Sequence, residues 1–494
     1  RLWIRSMTDE AIRDGFARLR PGPEMTRLEA AARSRAEADW LVGLNATRAM
    51  TLRARRAGGD NLLSVGRVQT PTLAMLALRE EAIERFRAEP FWQVKVRFGA
   101  AGGEWEGLWT EGAGDAKKDR FTVREEAEAV LARVRGRPGV VESAERKEER
   151  VPAPLLYDLT TLQKEANRRF QFTAQKTLDL AQSLYEKHKV LTYPRTDSRH
   201  LGSDQVPEFP RILGGIAFGP YEAAARSILD APGAPTPGSR VIDDQEVADH
   251  HAIIPTGVDP RTTSLSPDEK RLYDLVVRRF LAVFLPDAVF ATATVWTAIE
   301  QDRFVARGRT RLSEGWQSID PPQTTKKEVL LPPVDAGAAA ANLESRLHEG
   351  ETQPPKRYNE ATLLTAMERA GEALEERELK RAMKKNGLGT PATRAAIIET
   401  LLSRGFVRRR DRDLVPTPQG RALVRAIPVP VLLSPRLTGE WEARLSGIAE
   451  GADSRPEFMT AIRDFARGVV KTILEAEIPP EPLRELSAVK DAAP

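Results

Sequence analysis

Phe91-Trp92-Gln93-Val94-Lys95-Val96-Arg97-Phe98 is the stretch on which the reading of the whole chain turns. Trp92, Val94, Val96 and Phe98 alternate with Gln93, Lys95 and Arg97, the period of two expected of a strand with one face on a core. The same alternation returns at 289–299 and 303–319. Between these β segments the period is that of a helix. Leu156, Leu159, Leu162, Ala166 and Phe170 form one stripe, Leu178, Ala181, Leu184 and Tyr185 the next, and Pro267 to Phe284 is helical again. Pro152 and Pro154 punctuate the entry to this insert. We therefore expect one β domain assembled from two separated pieces, with a helical domain inserted between them.

Outward from this centre both flanks are helical. Residues 8–50 read as helices, with Thr8 placed to cap one that carries Ala11, Ile12, Phe16 and Leu19. Leu28, Ala31, Ala32, Ala36, Trp40, Leu44 and Thr47 continue the pattern to about residue 56. Asn61 to Gly66 breaks it, and a new helix is expected from Pro71 to Phe86. Residues 104–110 and 119–123 are expected as strands, Val123 to Val134 as a helix, and Gly136 to Val141 as turn and strand. The Pro/Gly-rich 231–240 is expected as a loop and the Ala/Gly-rich 335–341 as a linker. Asn359 to Phe406 is helical, interrupted at Gly387-Leu388-Gly389-Thr390-Pro391. The fold class is mixed α and β, multidomain. Its expected parts are a helical domain in two segments (1–88 and 351–480), a β-rich domain in two segments (89–152 and 287–350), a helical domain over 153–286, and a flexible tail over 481–494. A nested order of this kind suits a ring or clamp.

Composition narrows the function. Of 494 residues 41% are hydrophobic and 30% charged, a soluble globular balance that calls for several domains. No apolar run is long enough for a membrane span, and Arg1-Leu2-Trp3-Ile4-Arg5 has no signal-peptide core, so a cytoplasmic location is the default. Cysteine is missing, which excludes disulfides, thiolate metal sites and thiol catalysis. The net charge of +4 is a weak bias. The arginines cluster, though, at Arg53, Arg55 and Arg56 and again at Arg404, Arg408, Arg409, Arg410 and Arg412. Such clusters are either solvated faces or anion contacts. No G-x-x-x-x-G-K-[ST] occurs, so ATP hydrolysis is not expected.

Thr192-Tyr193-Pro194-Arg195-Thr196-Asp197-Ser198 is the candidate for chemistry. Pro194 pushes Tyr193 into an extended conformation. Residues two apart then share a side, which sets Tyr193 and Arg195 together. Asp197 or Ser198 is expected to cap a helix starting near Arg199, whose N-terminus would favour an anion. A phenol with a pKa near ~10 needs a neighbouring cation to act as phenolate, and a guanidinium offers a fork for phosphate oxygens. The bland alternative is a half-buried turn tyrosine beside a solvated arginine. His250 and His251 lie in a second polar segment and could contact phosphate or leaving group near neutral pH. Arg67 and Gln69 stand just ahead of a helix start, where they could meet a nucleic-acid backbone and base. Arg35 and Asp39, four apart, could be an ordinary pair along a helix.

Together these segments resemble the type IA DNA topoisomerases, most closely the bacterial topoisomerase III branch. The matching stretches are Ala31–Thr51, Leu63–Pro71, Leu155–Phe172, Leu191–Leu201, His250–Thr256, Arg357–Glu368 and Gly387–Val407, in the family's order. The resemblance implies a toroid-like fold. It implies that Tyr193 is the nucleophile of a 5′-phosphotyrosine link to one DNA strand. Arg195 would assist cleavage, and His250, rather than His251, would be the active-site histidine. Arg35, Asp39, Arg67, Gln69 and Thr393 match positions that hold single-stranded DNA. Such enzymes use Mg²⁺ on an N-terminal Toprim domain. This chain begins with Arg, where that domain should end, so an upstream Toprim segment is expected, no metal ligands are expected here, and impaired activity is expected of the chain alone. A monomer associated with the nucleoid, with a helicase or single-strand-binding protein as partner and no membrane contact, completes the expectation. Two further readings stand beside it: a non-catalytic single-stranded-DNA clamp, and an inactive, mis-started product.

Overall fold

The structure is a computed structural model that describes residues 1–2, 9–56, 62–112, 118–247, 249–323, 327–477 and 480–487. The expected Thr8 cap, residues 3–5 and residues 488–494 lie outside the described residues, whereas 481–487, expected as flexible tail, form a helix because Leu486 is buried in a core.

Helices α1 (Asp9–Ala17), α2 (Thr26–Arg56) and α3 (Gln69–Glu84) lead into strands β1 (Pro90–Ala100) and β2 (Gly103–Trp109), helix α4 (Arg124–Val134) and strand β3 (Gly139–Val151). The insert follows, with α5 (Leu159–Phe170), α6 (Ala174–Glu186), α7 (Phe209–Ile216), α8 (Glu222–Leu229) and α9 (Pro267–Ala282). The chain returns through β4 (Ala288–Ile299), β5 (Asp302–Ser313) and β6 (Ala339–Glu351). It ends in α10 (Glu360–Glu368), α11 (Arg377–Asn386), α12 (Pro391–Ser403), the hairpin β7 (Val407–Arg410) and β8 (Asp413–Pro416), and helices α13 (Pro418–Ala426), α14 (Arg436–Glu450), α15 (Arg455–Glu475) and α16 (Pro480–Ser487).

The two β segments close into one barrel in the order β1-β2-β5-β4-β3-β6. The inward set of the opening octet behaves as its alternation requires: Val94, Val96 and Phe98 are fully buried. Phe98 stacks on Trp105 at 5.6 Å and meets Phe304 edge-on at 5.7 Å, so the first and second β segments share one core. Three expectations change here: the strand read over 303–319 ends at Ser313, where Gly315 turns the chain into a short 3-10 helix over Gly315–Ser318. Residues 119–123 form no strand; Phe121 makes a lone bridge to Trp92, with its ring 4.4 Å from Trp109. Residues 335–341 are not a free linker, because the chain turns at Gly337 and enters β6 at Ala339.

Two apolar cores lie outside the barrel. One joins α2 and α3 to α10 and the helices after it. The other is built almost wholly within the insert, from Ala153 to Val283, and is roofed by Trp316 and Ile319 of the returning chain. Sequence chemistry starts the insert's helices cleanly. Asp158 and Thr161 form a reciprocal cap on α5, Thr173 caps α6, and Ser266 with Glu269 caps α9. Buried Asp320 ties α5 and α9 to the returning chain, accepting from Arg169 at 3.1 Å and Arg279 at 2.7 Å.

The seam between the insert and the outer helical core is polar. Lys164 pairs with Glu368 at 2.5 Å, buried Arg394 donates to Thr160 at 2.9 Å, and the Glu360 carboxylate accepts the Ala174 amide at 2.5 Å. Charge-assisted contacts of this kind fix a docking geometry while adding less apolar burial than a shared core does.

Candidate active site on the insert

Residues 190–196 do not form a helix or a free turn; they pair with 250–256. Thr192 N–H donates to the Ile254 carbonyl (2.9 Å), Thr256 N–H donates to Val190 (3.1 Å), and Thr196 Oγ1 donates to the His250 carbonyl (3.0 Å). Leu191, Ile253 and Ile254 are buried beneath this pairing and anchor it. The result is that the side chains above it face each other. The rings of Tyr193 and His250 stand 4.5 Å apart at 48°. Tyr193 also meets Tyr185 of α6 edge-on at 5.4 Å. Arg195 is exposed and donates from Nη2 to Gln182, also of α6, at 3.0 Å. Tyr193 and Arg195 thus lie along one side of α6, as their two-residue spacing predicts.

The phenol of Tyr193 is half-buried rather than sealed in apolar packing. Tyr185 beside it has its pKa raised, first by burial and then by the Tyr193 and Glu186 charges, so it stays a neutral phenol. His251 is the inward member of the histidine pair. Its Nδ1 lies 2.8 Å from the Ala252 carbonyl, and burial pushes its pKa down, which keeps the imidazole neutral. One expectation fails. No helix starts near Arg199; Ser198 Oγ instead donates to the Glu246 carbonyl at 2.8 Å, and the next helical turn begins at Ser203. The anion site expected at that helix start is therefore not formed.

A buried polar group braces the segment from below. His188 Nδ1 lies 2.5 Å from Thr263 Oγ1, its Nε2 is 3.3 Å from Glu269, and Glu269 accepts from Ser183 at 2.6 Å. Burial opposes the Glu269 charge, but the Ser183 and Ser266 hydrogen bonds and His188 outweigh it and hold its pKa at about 2. A carboxylate depressed in the folded state stabilises the fold above its unfolded pKa and loses that contribution as pH falls toward the folded value. Glu269→Gln should therefore narrow the stability gap to the parent chain from about 3 kcal/mol at pH 6 to near nothing at about pH 2. Denaturant melts at several pH values test this; a gap that does not change with pH sinks it.

The other candidates gather in the outer helical core. Arg67, buried, donates to Asp39 at 2.8 and 3.1 Å and to Glu442 at 3.0 Å, and lies 5.0 Å over Trp441. Burial disfavours its charge, but Asp39 and Glu442 more than offset this and raise its pKa. Arg35 also donates to Glu442. Arg35 and Asp39 are thus not paired with each other but with partners brought in by α14 and by the turn just before α3. In the structure the Arg67 guanidinium is engaged by carboxylates in a buried setting. Gln69 Nε2 donates to Ser64 Oγ at 2.6 Å and stays partly exposed. Thr393 is exposed at the start of α12, where the Thr390 N–H donates to its Oγ1 at 2.9 Å. Gly389, at φ +73°, brings this turn against Val68, so Gln69 and Thr393 belong to one neighbourhood. The basic clusters divide. Arg53 is bound to the carbonyls ending α15, and Arg409 to Glu360 and Glu399, whereas Arg55, Arg56, Arg404, Arg408, Arg410 and Arg412 are exposed.

A tyrosine, an imidazole and an arginine held along one helix, on a fold of nested helical and β segments, can be set beside known proteins. The pattern of the DNA topoisomerase family matches residues 23–460. This chain belongs to that family. DNA topoisomerase 3 of Bacillus cereus is 38% identical over 490 residues, covering 97% of this chain, and that of Bacillus subtilis is 39% identical over 482 residues, covering 96%. The chain spans about 65% of the length of these curated relatives. The solved full-length topoisomerase I of Thermotoga maritima has the same fold, with a TM-score of 0.71 at 23% identity over 97% of this chain and 74% of that one. The type IA fold expected from the sequence is thus the one found. Among the described residues no helix is long and apolar enough to cross a membrane.

Gln182 and Glu442 escaped the sequence reading, and Tyr185 was read only as part of an apolar stripe. A helix face presenting Gln182 and Tyr185 was legible in principle from their three-residue spacing. Glu442 gave no signal, since its partners lie hundreds of residues away.

Proposed function

We propose that this chain carries the strand-cleaving site of a type IA DNA topoisomerase of the topoisomerase 3 kind, acting on a single-stranded stretch of DNA without ATP. The observation that carries the reading is the half-buried Tyr193 ring packed on His250, with Arg195 on the same side of α6. In the proposed step the Tyr193 oxygen attacks phosphorus and the bond from phosphorus to the 3′ oxygen breaks. The 3′ oxygen leaves with a proton, and the 5′ phosphate stays on the tyrosine. Arg195 forks on the non-bridging oxygens, whose charge grows in the transition state. His250 orients the phenol. Rejoining reverses the step, and because the phosphotyrosine conserves the bond energy no nucleotide triphosphate is needed. Arg35, Asp39, Arg67, Gln69 and Thr393 would guide the strand, with Arg67 holding Asp39 directly and Arg35 through Glu442.

Magnesium belongs to this reading, but the residues present do not fit it. Among the described residues no group of three or more His, Cys, Asp or Glu could hold a metal ion. Its ligands would belong to a Toprim domain outside the residues present. A monomer at the nucleoid, working with a helicase or single-strand-binding protein, completes the proposal. The test uses the longer protein with Mg²⁺ and an end-labelled single-stranded oligonucleotide. Denatured mixtures should show label on the protein when the 3′ end is marked, and on a free shortened strand when the 5′ end is marked. The opposite partition, or no cleavage, overturns the proposal.

A further inference from the structure

We infer that a cleft on the insert, between the end of α5, the start of α9 and the 218–221 and 260–265 segments, binds a planar aromatic anion. The cleft has a volume of about 730 Å³ and lies within the size range of small-molecule sites. Tyr193 is not among its lining residues.

Four rings wall it: Phe170, Phe218, Tyr221 and Tyr273. Phe218 and Tyr221 meet edge-on, with centroids 5.7 Å apart at 77°. An aromatic guest can add an offset or edge-on partner to such a wall, whereas an aliphatic one gains burial alone. The charges at the rim decide the sign of the guest. Arg261 lies 4.5 Å over Phe218, but its guanidinium is forked on Asp259 at 2.7 Å. Arg271 is paired with Asp268 at 3.1 Å. Lys270, exposed on the same rim, makes no ion pair among the described residues. Asp274, the carboxylate in the lining, is paired with Arg278 at 2.7 Å, so the mouth keeps one uncompensated positive charge, which favours a guest with an anionic group. Tyr273 is 3% exposed, and its hydroxyl is buried with no hydrogen-bond partner. That hydroxyl is sealed beneath the wall, so what Tyr273 offers a guest is its ring. Ring and anion describe aromatic carboxylates and nucleoside monophosphates alike.

The test titrates the whole chain with 1-naphthoate, followed by saturation-transfer NMR and calorimetry, and then adds thymidine 5′-monophosphate as competitor. Saturable naphthoate binding is expected. It should weaken about tenfold in Lys270→Gln, an exposed position that leaves the fold alone, and fall further in Phe218→Ala. Tyr193→Phe should leave it unchanged, which separates this site from the cleavage chemistry. Displacement by the nucleotide assigns the cleft to nucleotides, and failure to displace assigns it to non-nucleotide aromatic acids. Lack of saturable binding of both probes overturns the inference. So does naphthoate affinity that is the same in the parent, Lys270→Gln and Phe218→Ala.

Discussion

Replacing Tyr193 by phenylalanine in the longer protein is expected to remove covalent protein–DNA complexes altogether, a fall of at least about a thousandfold, or roughly 4 kcal/mol in activation free energy. The substitution deletes one oxygen. The remaining ring would keep its packing on His250 and on Tyr185, so the local fold has no reason to change. Binding of a single-stranded oligonucleotide should therefore stay within about twofold, because the groups proposed to hold the strand lie in another core. Gel analysis of denatured reaction mixtures, beside a binding titration of the same preparation, gives both numbers. Adducts persisting in the variant would place the nucleophile elsewhere. Loss of both adducts and binding would mean that Tyr193 holds the strand path open instead of attacking it.

The second large effect is on stability. Glu442, with its side chain only 6% exposed, accepts from Arg67 and Arg35, and the Arg67 side chain is 5% exposed. Asp39, the remaining partner, is 42% exposed. Glu442→Gln removes the more buried of the two carboxylates that compensate the Arg67 guanidinium. Breaking a buried pair from one side typically costs about 3–5 kcal/mol. We expect the outer helical core to melt at least roughly 5 °C lower. Adding Arg67→Met should recover much of this, since the uncompensated cation is then gone. A single variant that melts with the parent would show that water and Asp39 suffice to carry the Arg67 charge.

How much of this was legible beforehand depended on where the physical signal is local. The octet at 91–98 announced a strand because one face is wholly buried and the other wet. The far end of β3 did not, because 145–150 is exposed on both sides and its Glu-Arg-Lys-Glu-Glu-Arg run carries no alternation. β6 was hidden for a similar reason, its first residues being alanines that fit a linker as well as a strand. The arginine-rich hairpin β7–β8 gives a purely polar reading in one arm. In the site, Pro194 and the spacing of Tyr193 and Arg195 set the two on one side, where the structure has them. The cap read into Asp197 and Ser198 failed because Ser198 found a distant carbonyl, a competition that local rules do not see. The same applies to Arg35 and Asp39. Their four-residue spacing suggests a pair, yet each found a buried or bidentate partner across the core, and such contacts outcompete an exposed pair along a helix.

The β3–β4 ribbon has one more consequence. It is paired without a break from Ser143 opposite Trp296 to Val151 opposite Ala288. The chain thus leaves for the tyrosine-bearing insert and comes back at two neighbouring positions. An insert tethered at adjacent points behaves as a cassette: excising 152–287 and bridging Val151 to Ala288 with a tight turn would leave an ordinary hairpin in an intact barrel, with Trp316 and Ile319 newly uncovered. Exchange of this unit at the joint also requires new partners for Asp320, Glu360 and Arg394, which the insert now supplies.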